Sequence, residues 1–467
     1  MDKKTFIACG LLAFAVSMQA QTKAGGIDKQ MMDKITAGSS STANRALANA
    51  IKTNAIDDLA RNFKKVGSFD THFSVETTKQ NIHNQKSSGR CWLFSGLNVL
   101  RSNFARNHKD TLRVELSHVY LSFHDQLEKA NLMLQGVIDN ANKPMDDPMV
   151  QFFFKSPIGD GGTFCGVADL VDKYGLVPME VMPESYSAEN TSRMASIISS
   201  KLREYGLELR KMVANKKPAA AIKARKTEML GDIYHILTLA LGEPVKTFEY
   251  AFKDKNGNSV GKPKTYTPQT FRDEVVGHKL NGTFIMAMND PRREYYKTYE
   301  VQYDRHTYDG HNWKYINLPM EDIAKMAIAS LKDNTKMYSS YDVGKQLDRK
   351  NGFLDLDNFD YATLFDTSFP MTKADRIATF GSGSTHAMTL SAVDLDENGQ
   401  PKKWMVENSW GPTNGYNGCL IMTNPWFNEY SFRLVVDKKY VPENILKAEQ
   451  QQPIMVMPDD PLFQEDK

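Results

Sequence analysis

The chain is poor in cysteine, in net charge and in long apolar runs, and each scarcity excludes something. Four cysteines in 467 residues cannot frame a fold of this size, so burial of its 41% hydrophobic residues has to hold it together. The 58 basic and 56 acidic residues leave a formal charge of +2, which offers neither nucleic acid nor an anionic membrane a field to follow. The basic stretch from Arg210 to Lys226 is accordingly read as a solvated helix face, and no nucleic-acid partner is expected. Metal and nucleotide signatures are missing as well. There is no H-E-x-x-H and no Cys/His cluster at zinc spacing, and "GSGSTH" lacks the third glycine of a dinucleotide loop. No metal and no cofactor is therefore expected.

The N-terminus differs from the rest. Lys3 and Lys4 precede an apolar run from Phe6 to Val16, then Ser-Met-Gln-Ala-Gln. That order is a secretory signal peptide cleaved after Ala20, since a run of about 11 residues falls short of the roughly 20 that span a bilayer. Too little apolar sequence precedes Cys9 for a lipid anchor. The expectation is an exported protein, periplasmic or secreted, with no membrane contact beyond the signal. The mature chain keeps Cys91, Cys165 and Cys419, so at least one thiol is free. For the last two, burial as small hydrophobes is favoured over a bridge between them.

Length suggests roughly two to four structural units. Residues 21–70 read as an exposed arm with helical patches. Leu93, Phe94, Leu97, Leu100 and Phe104 recur at three- and four-residue spacings, which predicts a helix starting at Cys91 with one apolar face. Ser117 is placed to cap the next helix, "HVYLSFHDQLEKANLML". These belong to a helical lobe over 71–190, followed by a helical insertion over 191–280. From about 245 short alternating runs such as "KTFEYAF", "GTFIMAM" and "KTYEVQY" signal strands, interrupted by a helix at "MEDIAKMAIASLK". The sheet lobe spans 281–445, and 446–467 form a C-terminal arm.

Four residues from two distant stretches of the sequence suggest one chemistry. A helix N-terminus favours thiolate at Cys91 and lowers its pKa. The hairpin "HAMTLSAVDL", "DENGQ", "KKWMVEN" returns the chain to its start, so His386 and Asn408 fall side by side. The amide oxygen of Asn408 can then accept from one imidazole nitrogen and aim the other at the thiol, with Trp410 covering that bond. Gln85, six residues before Cys91, can place its amide donors beside the Cys91 N–H as an oxyanion site. Each residue alone has a bland structural reading. All four bland readings together are far less probable than one nucleophilic site.

The blocks "NQKSSGRCWLFSGLNVLR", "ELSHVYLSFHDQLEKAN", "DGGTFCGVADLVDKYGLVPMEVMPES", "SYDVGK", "THAMTLSAV" and "KWMVENSWG" run in order from about Asn81 to Pro453. They resemble the bleomycin hydrolase and aminopeptidase C branch of the papain-like cysteine peptidases. Ser-Gly-Arg before the cysteine, in place of the cathepsin-like Cys-Gly-Ser, points to that branch. So do the roughly 300 residues from Cys91 to His386, against about 130 to 150 among papain and the cathepsins.

The resemblance implies an α+β, two-lobed papain-like fold, a helical lobe facing an antiparallel-sheet lobe, with a large insertion. It implies Cys91 as nucleophile, His386 as base, Asn408 as orienting amide and Gln85 as oxyanion donor, flanked by Trp92 and Trp410. Asp160, Gly161 and Gly162 would form the strand that pairs with the substrate backbone, which glycine lets approach closely. It further implies peptide substrates, a homohexamer, and a C-terminal arm lying in the cleft whose carboxylate, on Lys467, holds the substrate's free amine. Glu465 and Asp466 make this tail more polar than the branch's usual ending. Two outcomes stay open there: acids that help hold an ammonium, or a tail that does not dock. The implied activity is that of an aminopeptidase. An endopeptidase or peptidyl transferase using the same residues remains an alternative, as does a non-catalytic peptide-binding assembly. The branch is mostly cytosolic, so an export signal here points to peptide processing outside the cytoplasm.

Overall fold

The computed structural model describes residues 25–37, 42–65, 70–458 and 460–463. The signal segment with its cleavage after Ala20, and the terminal Lys467, lie outside the described residues. Among those described, no helix is long and apolar enough to cross a membrane. The chain divides into two compact units. The smaller joins Met1–Asn62 with Phe359–Ser368. In it the Asp360 N–H donates to the Ala60 carbonyl at 2.7 Å and the Tyr361 hydroxyl to Asp57 at 2.7 Å. Its helix Lys29–Thr36 buries none of its residues.

The larger unit carries the rest. Its helix Cys91–Asn107 begins where the sequence predicts, but it is buried on all sides from Trp92 to Ser102 rather than along one face. The small and polar side lies against protein as well. A Cβ on Gly96 would overlap Val167, and the Thr389 hydroxyl donates to the Ser95 carbonyl at 3.3 Å. Small residues there let a helix and a sheet close to short range, which makes this the central helix of its lobe. Helix His118–Asp139 is capped by Ser117, whose hydroxyl accepts from the Tyr120 N–H. Helices Ser192–Ala214 and Ala219–Leu241 pack on it through fully buried Ile198, Leu202, Leu209, Met229, Ile233 and Leu237. Several cations of the basic stretch are engaged by neighbouring groups. Arg210 donates to the Asn140 and Lys143 carbonyls, Arg225 to Glu208 and Glu228, and Lys226 to Asn131 and Gln135.

The largely helical insertion also holds a two-stranded sheet, Phe248–Tyr250 with Lys264–Tyr266, whose first strand lies in the alternating run "KTFEYAF". Tyr250, Phe252, Tyr266 and Phe271 meet there in one aromatic cluster, mostly edge to face. Alternating aromatics flanked by glycine turns form a hairpin more readily than a helix.

The main sheet has the strand order Ile454–Val456, Thr298–Val301, Lys314–Asn317, Phe284–Met288, Ser431–Asp437, Met337–Tyr341, His386–Leu395, Pro401–Glu407, Cys419–Thr423, Phe353–Leu354, Leu347–Asp348. The predicted hairpin is there, with Thr389 opposite Glu407. Alternation divides its residues between two cores. Ala387 and Tyr338 face the helical core with Leu97, Phe104 and Val167. Met388, Leu390 and Trp404 face a second core under helix Met320–Lys332. The outcome is a mixed helix-and-sheet fold with a helical and a sheet lobe, in which the central helix ends against the strand opened by His386.

Candidate active site

The loop before Cys91 is pinned from several sides. The Gln85 N–H donates to the Ser409 carbonyl at 2.8 Å, the Ser87 N–H to Glu189 at 2.9 Å, and the Gly89 N–H to the Asp160 carboxylate at 2.6 Å. Buried Arg90 reaches Glu184 at 2.8 Å and lies over the Phe94 ring. The helix therefore starts at one defined point, with Cys91 as its first residue.

Opposite it, the imidazole of His386 meets Asn408 at 2.8 Å between Nε2 and Oδ1. With Nε2 engaged there, Nδ1 is the nitrogen available to a thiol. The next residue, Ala387, brings its backbone N–H to 3.5 Å from the Cys91 sulfur. Trp410 stacks on the His386 ring with centroids 5.0 Å apart, and the Arg349 guanidinium covers the outer face of that tryptophan. Gln85 is buried. Its Oε1 accepts from the Ser409 hydroxyl at 2.5 Å, and its Nε2 donates to the Ser88 carbonyl at 2.5 Å. One of the two Nε2 protons remains for an oxyanion.

Gln85, Cys91 and His386 line a cavity of about 440 Å³ together with Gly161, Gly162, Leu462 and Phe463. Among the described residues neither the N–H nor the C=O of Gly162 has a hydrogen-bond partner, as a segment that pairs with a peptide backbone requires. A Cβ at Gly162 would strike His306 and Trp92. Asp160 lines the cavity too, but its carboxylate is spent on the Gly89 N–H and the Thr191 hydroxyl, and its carbonyl accepts from the Trp92 indole at 2.8 Å. It braces the loop beneath the nucleophile. Lys467 lies beyond the described residues.

Sequence reasoning missed the support under the glycines. Lys129 donates to the Gly161 carbonyl at 2.6 Å and pairs with Asp125 at 2.8 Å. Asp125 also meets His306 Nδ1 at 2.5 Å, while His306 Nε2 accepts from the Thr163 N–H at 3.2 Å. Asp125 and Lys129 sit one turn apart inside a block already singled out, which was the available signal. No local pattern ties His306 to them. Ser409, which orients Gln85, was hidden in the same way.

The electrostatics correct one expectation. Helix position predicted a thiol lowered in pKa, yet burial pushes Cys91 up to about 11, outweighing the N–H groups of Ala387 and Trp92 that favour thiolate. Burial likewise pushes His386 down to about 4, against the opposing bond from Asn408. Each charge alone is disfavoured in this cavity. Moving the thiol proton onto the imidazole creates both at once, and their mutual attraction across the cavity they share offsets part of what burial costs them. The other thiols lack such a partner. Cys165 is pushed up by burial beside Asp304, and Cys419 is pushed up to about 12. Among the described residues, Cys91, Cys165 and Cys419 are all free.

Comparisons with known proteins bear on the family and the fold. The model of the Peptidase C1-like family matches residues 26–463. Aminopeptidase G of Lactobacillus delbrueckii subsp. lactis is 38% identical over 419 residues, covering 90% of this chain and 95% of the relative. Bleomycin hydrolase of Homo sapiens is 39% identical over 392 residues, covering 82% and 85%. The crystal structure of PepW from Lactobacillus rhamnosis superposes with a TM-score of 0.88 at 34% identity, covering 94% of this chain and 99% of that one.

Proposed function

The chain belongs to the Peptidase C1-like family, and from that footing we propose that it is a cysteine-type aminopeptidase, releasing N-terminal residues from peptides. The observation that carries this reading is one cavity lined by Cys91, Gln85 and His386, the last held by Asn408 behind it, with Leu462 and Phe463 of the C-terminal arm in its wall. Cys91 Sγ, having passed its proton to His386 Nδ1, attacks the carbonyl carbon of the first peptide bond. The oxyanion is held by Gln85 Nε2 and the Cys91 N–H, donors whose individual removal costs about 3 kcal/mol in comparable sites. His386 returns the proton to the leaving amine, which departs and leaves a thioester on Cys91. Water, deprotonated by His386, then releases the N-terminal residue and restores the thiol. Asn408 keeps the imidazole in position through both halves. Gly162 pairs with the substrate backbone, and Trp410 shields the His386–Asn408 bond.

The arm supports the exopeptidase over the endopeptidase reading, because Leu462 and Phe463 occupy a wall that a longer acyl-side peptide would have to cross. We place Lys467, at the end of that arm, beside the substrate's ammonium. Peptides acetylated at the N-terminus are expected to be cleaved at least about 100-fold less efficiently than their free-amine counterparts, a difference of about 2.7 kcal/mol. Deleting residues 464–467 is expected to reverse the preference. Equal cleavage of free and blocked peptides by the intact protein would sink the aminopeptidase reading.

Export and hexameric assembly are also proposed. Lys3, Lys4 and the apolar run after them support the first. Ile27, Met31, Met32 and Ile35, exposed on and beside a helix that buries nothing, support assembly. Native and denatured mass measurement of protein recovered from its host tests both. Six chains each starting at Gln21 are expected; a monomer, or a chain retaining Met1, removes the corresponding proposal.

A further inference from the structure

The C-terminal arm is joined to the sheet lobe by a built cluster of four charges. Asp290, fully buried just beyond strand Phe284–Met288, is held by Asn317, which accepts from its N–H at 2.8 Å and donates to its carbonyl at 3.0 Å. Its carboxylate takes Arg292 through Nε at 2.9 Å and Nη2 at 2.8 Å, and Arg293 through Nε at 3.1 Å. Both guanidinium groups are thereby aimed before the arm arrives. Asp460 of the arm then receives Arg292 Nη2 on one oxygen at 2.8 Å and Arg293 Nη2 on the other at 2.6 Å. Two negative and two positive charges close on each other, and their side chains are 0 to 22% exposed, so solvent screens them only partly.

What Asp460 anchors is the wall of the cavity. Its Oδ1 also accepts from the Leu462 N–H at 3.0 Å, and its carbonyl from the Phe463 N–H at 2.9 Å, which winds the chain into a single turn. That turn buries Leu462, lays Phe463 against Tyr315 and Arg433, and places the Leu462 carbonyl beside Gly383, three residues before His386. Upstream, the arm is held by strand Ile454–Val456 alongside Thr298–Val301 and by the Gln302 N–H on the Val456 carbonyl. Between Val456 and the cavity, the two arginines on Asp460 fasten the arm by charge.

We propose that Arg292 and Arg293, preset by Asp290, form a positioning clamp on Asp460 that fixes where the cavity ends, and so confines hydrolysis to peptides with a free amino terminus. This rests on the aminopeptidase reading and assigns its selectivity to residues outside the reacting groups. Loosening the clamp lets Leu462 and Phe463 withdraw. The nucleophile, base and oxyanion donors stay in place, and peptide on the acyl side gains room.

The test uses the full chain, a free-amine dipeptide amide and its N-acetyl counterpart, with kcat and KM measured separately. Asp460→Asn keeps the shape and removes the charge. For the free-amine substrate it is expected to raise KM about tenfold with kcat within about twofold, and to raise kcat/KM for the acetylated one about tenfold. Arg292→Gln is expected to act likewise, and Asp460→Glu to restore most of the preference. A parallel fall of both substrates with a lowered Tm shows a merely structural contact and overturns the clamp. So does an unchanged preference in Asp460→Asn while the wild type still selects free amines, a result that leaves the aminopeptidase reading standing. Absence of any preference in the wild type overturns that reading and the clamp together.

Discussion

Replacing Cys91 with alanine is expected to lower kcat by about four orders of magnitude or more, the loss typical of removing a nucleophile that works as a unit with its base. His386→Ala should cost a similar amount, and the double variant little more, because neither group does its work without the other. The same pair predicts how the thiol reacts with pH. An isolated thiol buried as Cys91 is, pushed up to about 11, would be inert to iodoacetamide until strongly alkaline pH. A thiol that hands its proton to His386 reacts as soon as that imidazole is otherwise unprotonated. Because burial lowers His386 to about 4, its own proton is lost as pH rises through about 4, and alkylation should reach a plateau above that value and hold it through neutrality. One carbamidomethyl group on Cys91, and none on Cys165 or Cys419 at pH 6, is the expected mass-spectrometric result. A rate that only climbs toward pH 11 would show that proton transfer to His386 does not occur. Undiminished peptidase activity in Cys91→Ala would overturn the assignment as a whole.

The second large effect is on stability. Lys336 and Glu407 form an ion pair at 2.5 Å with side chains 0% and 5% exposed. Glu407 ends the strand that pairs with the one opened by His386, and the next residue is Asn408. Lys336→Met removes one charge and strands the other in the interior, which is expected to cost about 3–5 kcal/mol and to loosen the chain at Asn408. Changing both residues to apolar ones of similar size, Lys336→Met with Glu407→Leu, should recover most of that loss, because no lone charge remains buried. Urea midpoints for the two variants decide it. A single variant within about 1 kcal/mol of wild type would mean that water reaches the pair.

Much of the site is readable along the chain because its parts sit at element boundaries. Cys91 begins a helix whose apolar spacing is plain, Ser117 caps the next, and His386 and Asn408 stand at the open end of one hairpin. What was not readable depends on segments that meet only on folding. The Lys129–Asp125–His306 support joins residues about 180 positions apart, and no periodicity encodes such a meeting. Asp160 looked like part of the substrate strand, yet the Gly89 and Thr191 donors that occupy it come from elsewhere in the chain. Periodicity along helix Cys91–Asn107 reports which side is apolar, and not that an interior strand of the sheet and a glycine-bearing contact would bury the other.

By itself, then, the sequence determined which residues could do chemistry, where the elements carrying them begin, and which family they resemble. These follow from neighbours within a turn or a hairpin, where spacing and local hydrogen bonding suffice. Only the tertiary structure decided their proton affinities and the edge of their cavity. Burial, contributed by strands and an arm hundreds of residues away, reverses the shift that the helix end alone would give Cys91. The arginines that seat Asp460 meet it across about 170 residues, because charge pairing depends on distance through space and on the exclusion of water, neither of which exists until the chain has closed.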